Sequence, residues 1–255
     1  MNQASEAQVQ QELVQTPAAQ HLLRRRAIRR ATLVLGLVAA LGLFLLWLPE
    51  PSRRLFIRNL VANRFLIALL FLFGLVAISL LWSLGQRLDV WLFNVMNLRG
   101  YHAVWMDRAM WAATQIGNTL FTALLAVAAY LLGDHRFAIG LALGSLILWL
   151  LVTIIKALTD RARPFNLLRE TRVIGWHEPG LSFPSGHTAQ TFFTVTLVIS
   201  HFDLPLGIAL GLYGIAVLVG FTRVYLGVHY PRDVIAGAML ALILGSVSML
   251  VAPYL

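Results

Sequence analysis

The sequence predicts an all-α polytopic membrane helical bundle, and three observations lead to that fold class. Of the 255 residues, 59% are hydrophobic and only 12% are charged, about half the charge of a typical soluble domain. Long uncharged runs account for the difference, and most approach the roughly 20 residues that a membrane-spanning helix needs. The runs are rich in Leu and Ala without period-two alternation, which favours helices over a closed barrel. They cover residues 31–49, 65–86, 109–133, 137–155, 188–200, 204–222 and 234–255.

The runs from residue 65 onward predict six core spans, and the run 31–49 predicts an additional N-terminal span. The shortest run, 188–200, is expected to cross because short loops flank it on both sides. Run 31–49 follows five arginines and has no small-x-small cleavage site, which favours an uncleaved anchor helix over a signal peptide. Segment 85–108 mixes apolar and polar side chains and predicts an amphipathic helix at the membrane interface.

Charge and cysteine content narrow the expected partners. The net charge of +9 comes almost wholly from arginines at the ends of the runs, so anionic lipid head groups are expected to bind there and nucleic acid is not. The chain has no cysteine, which excludes disulfides and thiolate metal sites. The polar, Gln-rich leader and the basic residues after it form a tail over 1–30. The oligomeric state does not follow from the sequence.

Three short segments are unusually polar for so apolar a chain: 156–164, 182–188 and 222–233. Run 137–155 ends at the first segment, run 188–200 starts at the second, and run 204–222 ends at the third. If each run crosses the membrane once, all three segments lie on the same membrane face. The sequence therefore predicts one polar site built from three separate parts of the chain.

The cations of these segments suit an anion, and phosphate in particular. Arginine presents a planar fork that matches phosphate oxygens, and lysine adds a point charge. The turn at Ser185 and Gly186 precedes a run, where backbone N–H groups and the helix dipole favour an anion, and Gly186 permits close backbone approach. The predicted phosphate ligands are Lys156, Arg163, Ser185, Gly186 and Arg223.

Two histidines and an aspartate complete the predicted site. His229 and Asp233 are four residues apart, a spacing that lets a carboxylate reach an imidazole N–H near a helix start. The carboxylate would fix the tautomer and leave the other ring nitrogen free to attack phosphorus. His187 is the candidate general acid for the departing oxygen. No metal ligand set and no cofactor motif is predicted.

The patterns Lys-x6-Arg-Pro, Pro-Ser-Gly-His and Arg-x5-His-x3-Asp, in this order, resemble the three motifs of the type 2 phosphatidic acid phosphatase superfamily, which includes the vanadium-dependent haloperoxidases. The resemblance covers roughly residues 64–255 and implies a lipid-phosphatase membrane domain there, preceded by an anchor span and basic loop over 31–63. It implies that the five ligands above hold phosphate, that His187 protonates the leaving group, and that His229, supported by Asp233, forms a phosphohistidine. The third motif usually opens with Ser-Arg and here reads Thr222-Arg223, which affects only fine positioning.

Other polar residues near these motifs receive weaker expectations. Asp160 and Arg161 are expected to pair with each other, and His177 and Glu178 are candidate head-group contacts. The arginines expected to contact interfacial lipid are Arg169, Arg172 and Arg232, and the residues expected to lie outside catalysis are His102 and Asp107.

Several functions fit this combination. The preferred function is hydrolysis of a lipid phosphate or diphosphate, with undecaprenyl diphosphate as the first-choice substrate. The alternatives within this class are a phosphatidylglycerophosphate or phosphatidate phosphatase and a lipid A phosphatase. A vanadate-dependent oxidant enzyme would use the same motifs, but those enzymes are soluble. A lipid transporter or scramblase with a vestigial site is the non-enzyme alternative.

Orientation stays open at this point. Seven spans with an extracytoplasmic site would place the N-terminus outside, whereas the five arginines before run 31–49 favour an inside N-terminus. Either that run does not fully cross, or the N-terminus is outside, or the site faces the cytoplasm. The resemblance favours a bacterial inner membrane and an extracytoplasmic site.

Overall fold

The computed structural model describes residues 49–99 and 102–251, together with nine separate positions between 28 and 47. The predicted tail and most of run 31–49 lie outside the described residues. Every regular element within them is helical. The α-helices are α1 (Glu50–Ala62), α2 (Arg64–Ser79), α3 (Ser83–Asn97), α4 (Val104–Thr114), α5 (Thr119–Leu131), α6 (His135–Thr159), α7 (Pro164–Leu167), α8 (Gly186–His201), α9 (Leu206–Tyr225) and α10 (Pro231–Val251).

The chain divides into two compact units, Met1–Leu55 and Phe56–Leu255, and the helices from α2 onward belong to the second. Three helical stretches among the described residues are long and apolar enough to cross a membrane: His135–Leu167, Leu206–Tyr225 and Pro231–Met249. Two bent helix pairs bring the number to five if each pair counts as one span. The described part of the protein is therefore all-helical and belongs to an integral membrane protein, and the number of six core spans stays a prediction.

The predicted continuous span over 109–133 is broken in the structure. Helix α4 passes through a short 3₁₀ turn, Gln115–Gly117, and α5 leaves at an angle of 52°. Asn118 caps α5 by accepting a hydrogen bond from the Leu120 N–H at 3.0 Å. A Cβ at Gly117 would lie 2.8 Å from the His187 carbonyl oxygen, so the break brings this backbone against the start of α8.

Helix α3 occupies most of the segment predicted to be amphipathic. Its buried side chains are Asp89, Phe93 and Asn97, and the exposed side chains include Leu88 and Trp91. Two buried residues of this helix are thus polar, and both bind partners from distant parts of the chain. The placement of α3 in the membrane interface stays a prediction.

Helix α8 lies at the centre of the described bundle and packs against α6, α9 and α10. Leu141 and Leu148 of α6 meet Phe193 of α8 in the main apolar core. At the motif end the packing is tighter, because a Cβ at Gly237 of α10 would lie 2.5 Å from the Ser185 carbonyl oxygen. Glycine at this position therefore lets α10 bring Asp233 close to the start of α8.

Candidate active site

The side chains of the site come from the ends of four helices. Lys156 lies in the last turn of α6, Ser185 caps α8, Arg223 lies in the last turn of α9, and Asp233 lies in the first turn of α10. The three polar segments predicted to share a face thus meet at one end of the helices. Because each segment adjoins the end of a packed helix, the helix packing sets the distances between its side chains.

His229 is buried in the loop between α9 and α10, with 1% of its surface exposed. The loop turns at Gly227, whose φ of +83° is in the left-handed region that favours glycine. A Cβ there would also lie 2.3 Å from the Arg172 carbonyl oxygen. The His229 N–H donates to the Arg223 carbonyl at 3.2 Å, so the loop is tied to the end of α9.

The two ring nitrogens of His229 face different partners. Nδ1 lies 3.6 Å from Asp233 Oδ2 and 3.5 Å from Ser182 Oγ. The Ser182 hydroxyl donates to Asp233 Oδ2 at 2.5 Å and so lies between the ring and the carboxylate. Nε2 lies 3.4 Å from Arg163 Nη1. With its proton on Nδ1, His229 directs the Nε2 lone pair toward the cationic side of the site.

Arg163 and Arg223 form a pair of buried cations, both 2% exposed. Each guanidinium binds one oxygen of the Glu178 carboxylate: Arg163 Nη1 lies 3.1 Å from Oε2, and Arg223 Nη2 binds Oε1. Arg223 Nη1 also donates to Thr114 Oγ1 at 2.8 Å. Buried Nε of Arg223 finds no acceptor in the described part of the chain. Such an orphan donor among cations indicates a site for a further anion.

Lys156 and His187 lie around the same carboxylate. The electrostatic neighbours of Lys156 include Arg163, Arg223 and Glu178. His187 Nδ1 lies 4.0 Å from Glu178 Oε1, and the side chain is partly exposed. We name the group formed by Lys156, Arg163 and Arg223 the cation cradle.

Ser185 and Gly186 lie where the helix start was predicted. The Ser185 hydroxyl accepts from the Thr188 N–H at 3.5 Å and from the Thr188 hydroxyl at 2.9 Å, so it caps α8. Its own N–H donates to the Asp233 carbonyl at 2.9 Å. Ser185 therefore ties α8 to α10, and its role as a phosphate ligand stays a prediction.

The charges of the site alter two ionisable groups in the loops. Burial lowers the pKa of His229, and the positive charges of Arg163, Arg223 and Lys156 lower it further, well below the ordinary value of 6.5. Burial alone would raise the pKa of Glu178, but Arg223, with His187, His229 and Arg163, outweighs burial and holds the pKa well below its ordinary value. The arrangement therefore favours a neutral imidazole and an ionised carboxylate.

A cavity of about 310 Å³ opens beside Glu178, His187 and Arg223. Its wall includes the indole rings of Trp111 and Trp176 and the amide side chains of Gln115 and Asn118. The volume is at the lower end of the range for small-molecule pockets. A polar head group fits this mixture of apolar and hydrogen-bonding surface.

Three residues of the site were missed or misplaced by sequence reasoning. Glu178, a candidate head-group contact, binds the two arginines of the cradle. Ser182 belongs to the second segment but received no role. Arg161, expected to pair with Asp160, instead forms ion pairs with Asp89 and Asp233. The position of Ser182 two residues before Pro184-Ser185-Gly186 was the available signal, whereas the partners of Glu178 and Arg161 are remote in sequence.

Two arginines expected to contact lipid have carboxylate partners within the protein. Arg172 binds both carboxylate oxygens of Asp107 at 2.8 Å, and Arg232 Nε lies 2.6 Å from Asp89 Oδ2. The Asp107 carboxylate also accepts from the Tyr225 hydroxyl at 2.6 Å. Arg172 thus anchors loop 160–184, and Asp107 supports that anchor. Each of these two arginines therefore has a counter-charge within the protein.

Metal binding has no evident ligand set in residues 49–99 and 102–251. No group of three or more His, Cys, Asp or Glu side chains that could hold a metal ion occurs there. Metal-independent chemistry stays a prediction.

Comparison with known proteins identifies the fold family. Residues 136–255 match the PAP2 superfamily. An undecaprenyl-diphosphatase of Sulfolobus acidocaldarius is 34% identical over 109 residues, which span 42% of this chain but only 50% of that protein. Phosphatidylglycerophosphatase B of Bacillus subtilis is 33% identical over 159 residues, which span 55% of this chain and 72% of that protein.

A solved structure agrees with the sequence relatives. The transmembrane PAP2-type phosphatidylglycerolphosphate phosphatase of Bacillus subtilis superimposes with a TM-score of 0.63 at 26% identity, covering 74% of this chain and 96% of that one. The names of these relatives and of this solved structure are those of phosphatases that act on lipid phosphates. Three findings agree: the match to residues 136–255, the relative that this chain covers over 72% of its length, and the shared fold. The chain therefore belongs to the PAP2 superfamily.

Proposed function

We propose that this protein hydrolyses a membrane lipid phosphate or diphosphate through a phosphohistidine on His229, with undecaprenyl diphosphate as the first-choice substrate. One observation carries the proposal: the cation cradle sets three cations around the single carboxylate of Glu178, beside a buried histidine whose Nε2 faces them. A doubly charged phosphate can replace that carboxylate and satisfy the buried Arg223 Nε. The site lies at the ends of membrane helices, where lipid head groups are found.

In the first step, Nε2 of His229 attacks phosphorus and the bond from phosphorus to the lipid oxygen breaks. The cation cradle neutralises the charge that develops on the non-bridging oxygens. His187 donates a proton to the departing oxygen, which leaves as an alcohol or as a lipid monophosphate. Asp233 and Ser182 hold the Nδ1 side of the nucleophile while it becomes positively charged.

In the second step, water attacks the phosphohistidine from the side that the lipid has left. His187, now neutral, accepts a proton from that water, which is the reverse of its first role. The phosphorus–nitrogen bond breaks, inorganic phosphate leaves, and His229 returns to its neutral form. The low pKa of His229 favours its release as a neutral leaving group.

The substrate proposal draws on the relatives and on the cavity. The Sulfolobus relative bears the name undecaprenyl-diphosphatase, and the two Bacillus subtilis proteins described above bear the names of phosphatidylglycerophosphate phosphatases. The cavity beside the cradle has space for a second phosphate or a glycerol group. Phosphatidylglycerophosphate, phosphatidate and lipid A phosphates are therefore the alternative substrates.

Dependence on the lipid tail tests the proposal. Moving each methylene of a lipid into water costs about 0.8 kcal/mol, so the head group must be captured while the chains stay in an apolar setting. We expect kcat/KM to fall steeply from a long-chain polyprenyl diphosphate to a short-chain diphosphate and a water-soluble phosphate in one detergent. His229→Ala is the matched inactive control. Similar kcat/KM values for all three would exclude a lipid phosphatase in favour of a general phosphatase.

A lipid transporter or scramblase with a vestigial site is the alternative from another class. Phosphate release separates the two, because a transporter moves labelled lipid between leaflets without releasing phosphate. Lipid movement in His229→Ala, at the rate of the unaltered protein and with no phosphate release by either, would favour the transporter.

The proposed membrane domain covers 64–255 with six core spans, and the site faces the extracytoplasmic side of a bacterial inner membrane. Anionic lipids are proposed to contact the basic loop of 31–63. The chain is free of cysteine, so single cysteines can be introduced directly. A cysteine at Trp176 should react with an impermeant maleimide from outside the cell, and a cysteine at Leu132 should not. The opposite pattern would place the site in the cytoplasm.

A further inference from the structure

Arg161 occupies a buried position directly behind the proposed nucleophile. Helix α6 ends at Thr159, and the next residue, Asp160, has a left-handed φ of 50° that ends the helical path. The Arg161 side chain is 9% exposed. Its Nη1 lies 2.6 Å from Asp233 Oδ1, and its Nη2 lies 2.5 Å from Asp89 Oδ2. The guanidinium also stacks over the Tyr230 ring, 4.3 Å from the ring centroid.

The two oxygens of the Asp233 carboxylate have separate partners. Oδ1 accepts from Arg161, whereas Oδ2 accepts from the Ser182 hydroxyl at 2.5 Å and from the Tyr230 N–H at 2.8 Å. Oδ2 is also the oxygen that faces His229 Nδ1. Arg161 therefore holds the far oxygen of the carboxylate and sets the rotation that presents the near oxygen to Ser182 and His229.

The backbone of Arg161 supports the second partner of His229. Its carbonyl accepts a hydrogen bond from the Ser182 N–H at 2.7 Å. The Ser182 hydroxyl lies between the Asp233 carboxylate and His229 Nδ1. One residue thus orients both groups on the Nδ1 side of the imidazole, while the phosphate side belongs to the cation cradle.

We propose that Arg161 is a positioning residue of the phosphatase reaction, acting through Asp233 and Ser182 to keep Nε2 of His229 directed at the phosphate. This inference rests on the proposed function. The Arg161 side chain contacts Asp89, Asp233, Gln86 and Tyr230. Within the described residues, none of its hydrogen bonds or ion pairs goes to His229 or to the cation cradle. Its contribution is expected in the rate of the chemical step and not in substrate affinity.

A guanidinium suits this role and an ammonium does not. Arg161 joins Asp89 of α3 to Asp233 of α10 with two different nitrogens of one rigid plane. A lysine retains the charge but cannot hold both carboxylates in that geometry. Arg161→Lys therefore perturbs the position of Asp233 without leaving two buried carboxylates uncompensated.

Arg232 provides a matched control. Like Arg161, it binds the Asp89 carboxylate, with its Nε 2.6 Å from Oδ2, and its side chain is 13% exposed. Its other side-chain hydrogen bonds go to Ser79 and Gln86, and within the described residues none goes to His229, Asp233 or Ser182. If Arg161 and Arg232 only stabilise the fold through Asp89 and Asp233, their substitutions should lower kcat per folded molecule equally.

The experiment compares Arg161→Lys with Arg232→Lys for kcat, KM and thermal stability in detergent with a long-chain diphosphate. We expect both variants to lose stability to a similar extent. Arg161→Lys should lower kcat by about 10–100-fold, the loss typical of a partner that orients a functional histidine, with KM changed less than about threefold. Arg232→Lys should lower kcat by less than about threefold. Equal losses of kcat per folded molecule would overturn the proposal.

A double-mutant cycle gives a second, independent readout. If Arg161 acts through Asp233, adding Arg161→Lys to Asp233→Asn should reduce kcat by less than about threefold, because the orientation is already lost. Fully multiplicative losses would overturn the proposal. An unaltered protein inactive on every lipid phosphate would instead overturn the proposed function, so the two failures are distinguishable.

Discussion

Two groups of cationic side chains lie at the same end of the helices, and their charge balance differs. In the cation cradle, Lys156, Arg163 and Arg223 surround the one carboxylate of Glu178. On the other side of His229, the proposed nucleophile, Arg161 and Arg232 bind two carboxylates, those of Asp89 and Asp233. The first group has an excess of positive charge and the second is balanced.

The difference in charge balance indicates different roles: the cation cradle is suited to bind an anion, and the balanced group is suited to hold helices together. Burying charge is costly unless a counter-charge compensates it, so a surplus of buried cations is expected only where another anion binds. The balanced group has no such requirement and can act as a rigid brace between α3 and α10. Substitutions on the two sides of His229 should therefore have different kinetic signatures.

The largest expected effect is at the nucleophile that separates the two groups. His229→Ala should lower kcat by at least about 10⁴-fold at every pH, because no phosphohistidine can form. The measurement is phosphate release, with alkali-quenched ³²P-labelled protein as a check on the covalent intermediate, because a phosphorus–nitrogen bond hydrolyses in acid. Retention of label in His229→Ala would contradict the assignment.

His187→Ala should have the next largest effect, and its size should depend on the leaving group. With a lipid alkoxide the loss should be about 10²–10⁴-fold, since general acid help matters when the departing oxygen is basic. With a nitrophenyl phosphate the loss should be much smaller. If good and poor leaving groups lose activity equally, His187 is not the acid.

Glu178→Gln tests the charge surplus of the cradle. The neutral amide no longer competes with phosphate for Arg163 and Arg223, so KM and the inhibition constant of vanadate should fall by about 3–10-fold, tenfold being 1.4 kcal/mol. Thermal stability without ligand should fall, because the two arginines lose their carboxylate. Weaker vanadate inhibition would show that Glu178 assists binding.

The pH dependence of kcat/KM should show a smaller but diagnostic shift. Burial and the cradle cations lower the pKa of His229, so the neutral, nucleophilic ring persists below pH 6.5 and is lost only as the pH falls through the lowered value. The acidic limb assigned to His229 should therefore lie well below pH 6.5. In Glu178→Gln it should move lower still, because the Glu178 carboxylate raises this pKa. An acidic limb at 6.5 in both proteins would contradict this environment.

Chelation should have the smallest effect. Three cations of the chain already neutralise phosphate, so excess EDTA should leave phosphate release within about twofold. Vanadate, which adopts the pentacoordinate geometry of the transferring phosphorus, should inhibit in the same assay. Complete loss in EDTA with recovery on adding Mg²⁺ would exclude the metal-independent mechanism.

Local sequence patterns were sufficient for much of the fold and for the inventory of the site. Uncharged Leu-rich runs predict the helices because the hydrophobic pattern and the length of a helical segment can be read from residues that are adjacent in the sequence. Helices α6, α9 and α10 follow their predicted runs with ends shifted by a few residues. The run 109–133 is not one continuous helix, and whether the bent pair crosses as one span stays a prediction. The close contact of Gly117 with α8 at the break involves residues about 70 positions away.

For the site, the sequence by itself determined which three segments share a face, since motif order and the alternation of spans place Lys156, His187 and His229 at the same side of the bundle. Tertiary structure alone decided how they are paired. Three long-range contacts show this. They place Glu178 between the two arginines, Ser182 between His229 and Asp233, and Arg161 between Asp89 and Asp233. Such contacts depend on the path of loop 160–184 and on helix packing, and neither is encoded in the spacing of the residues that they join.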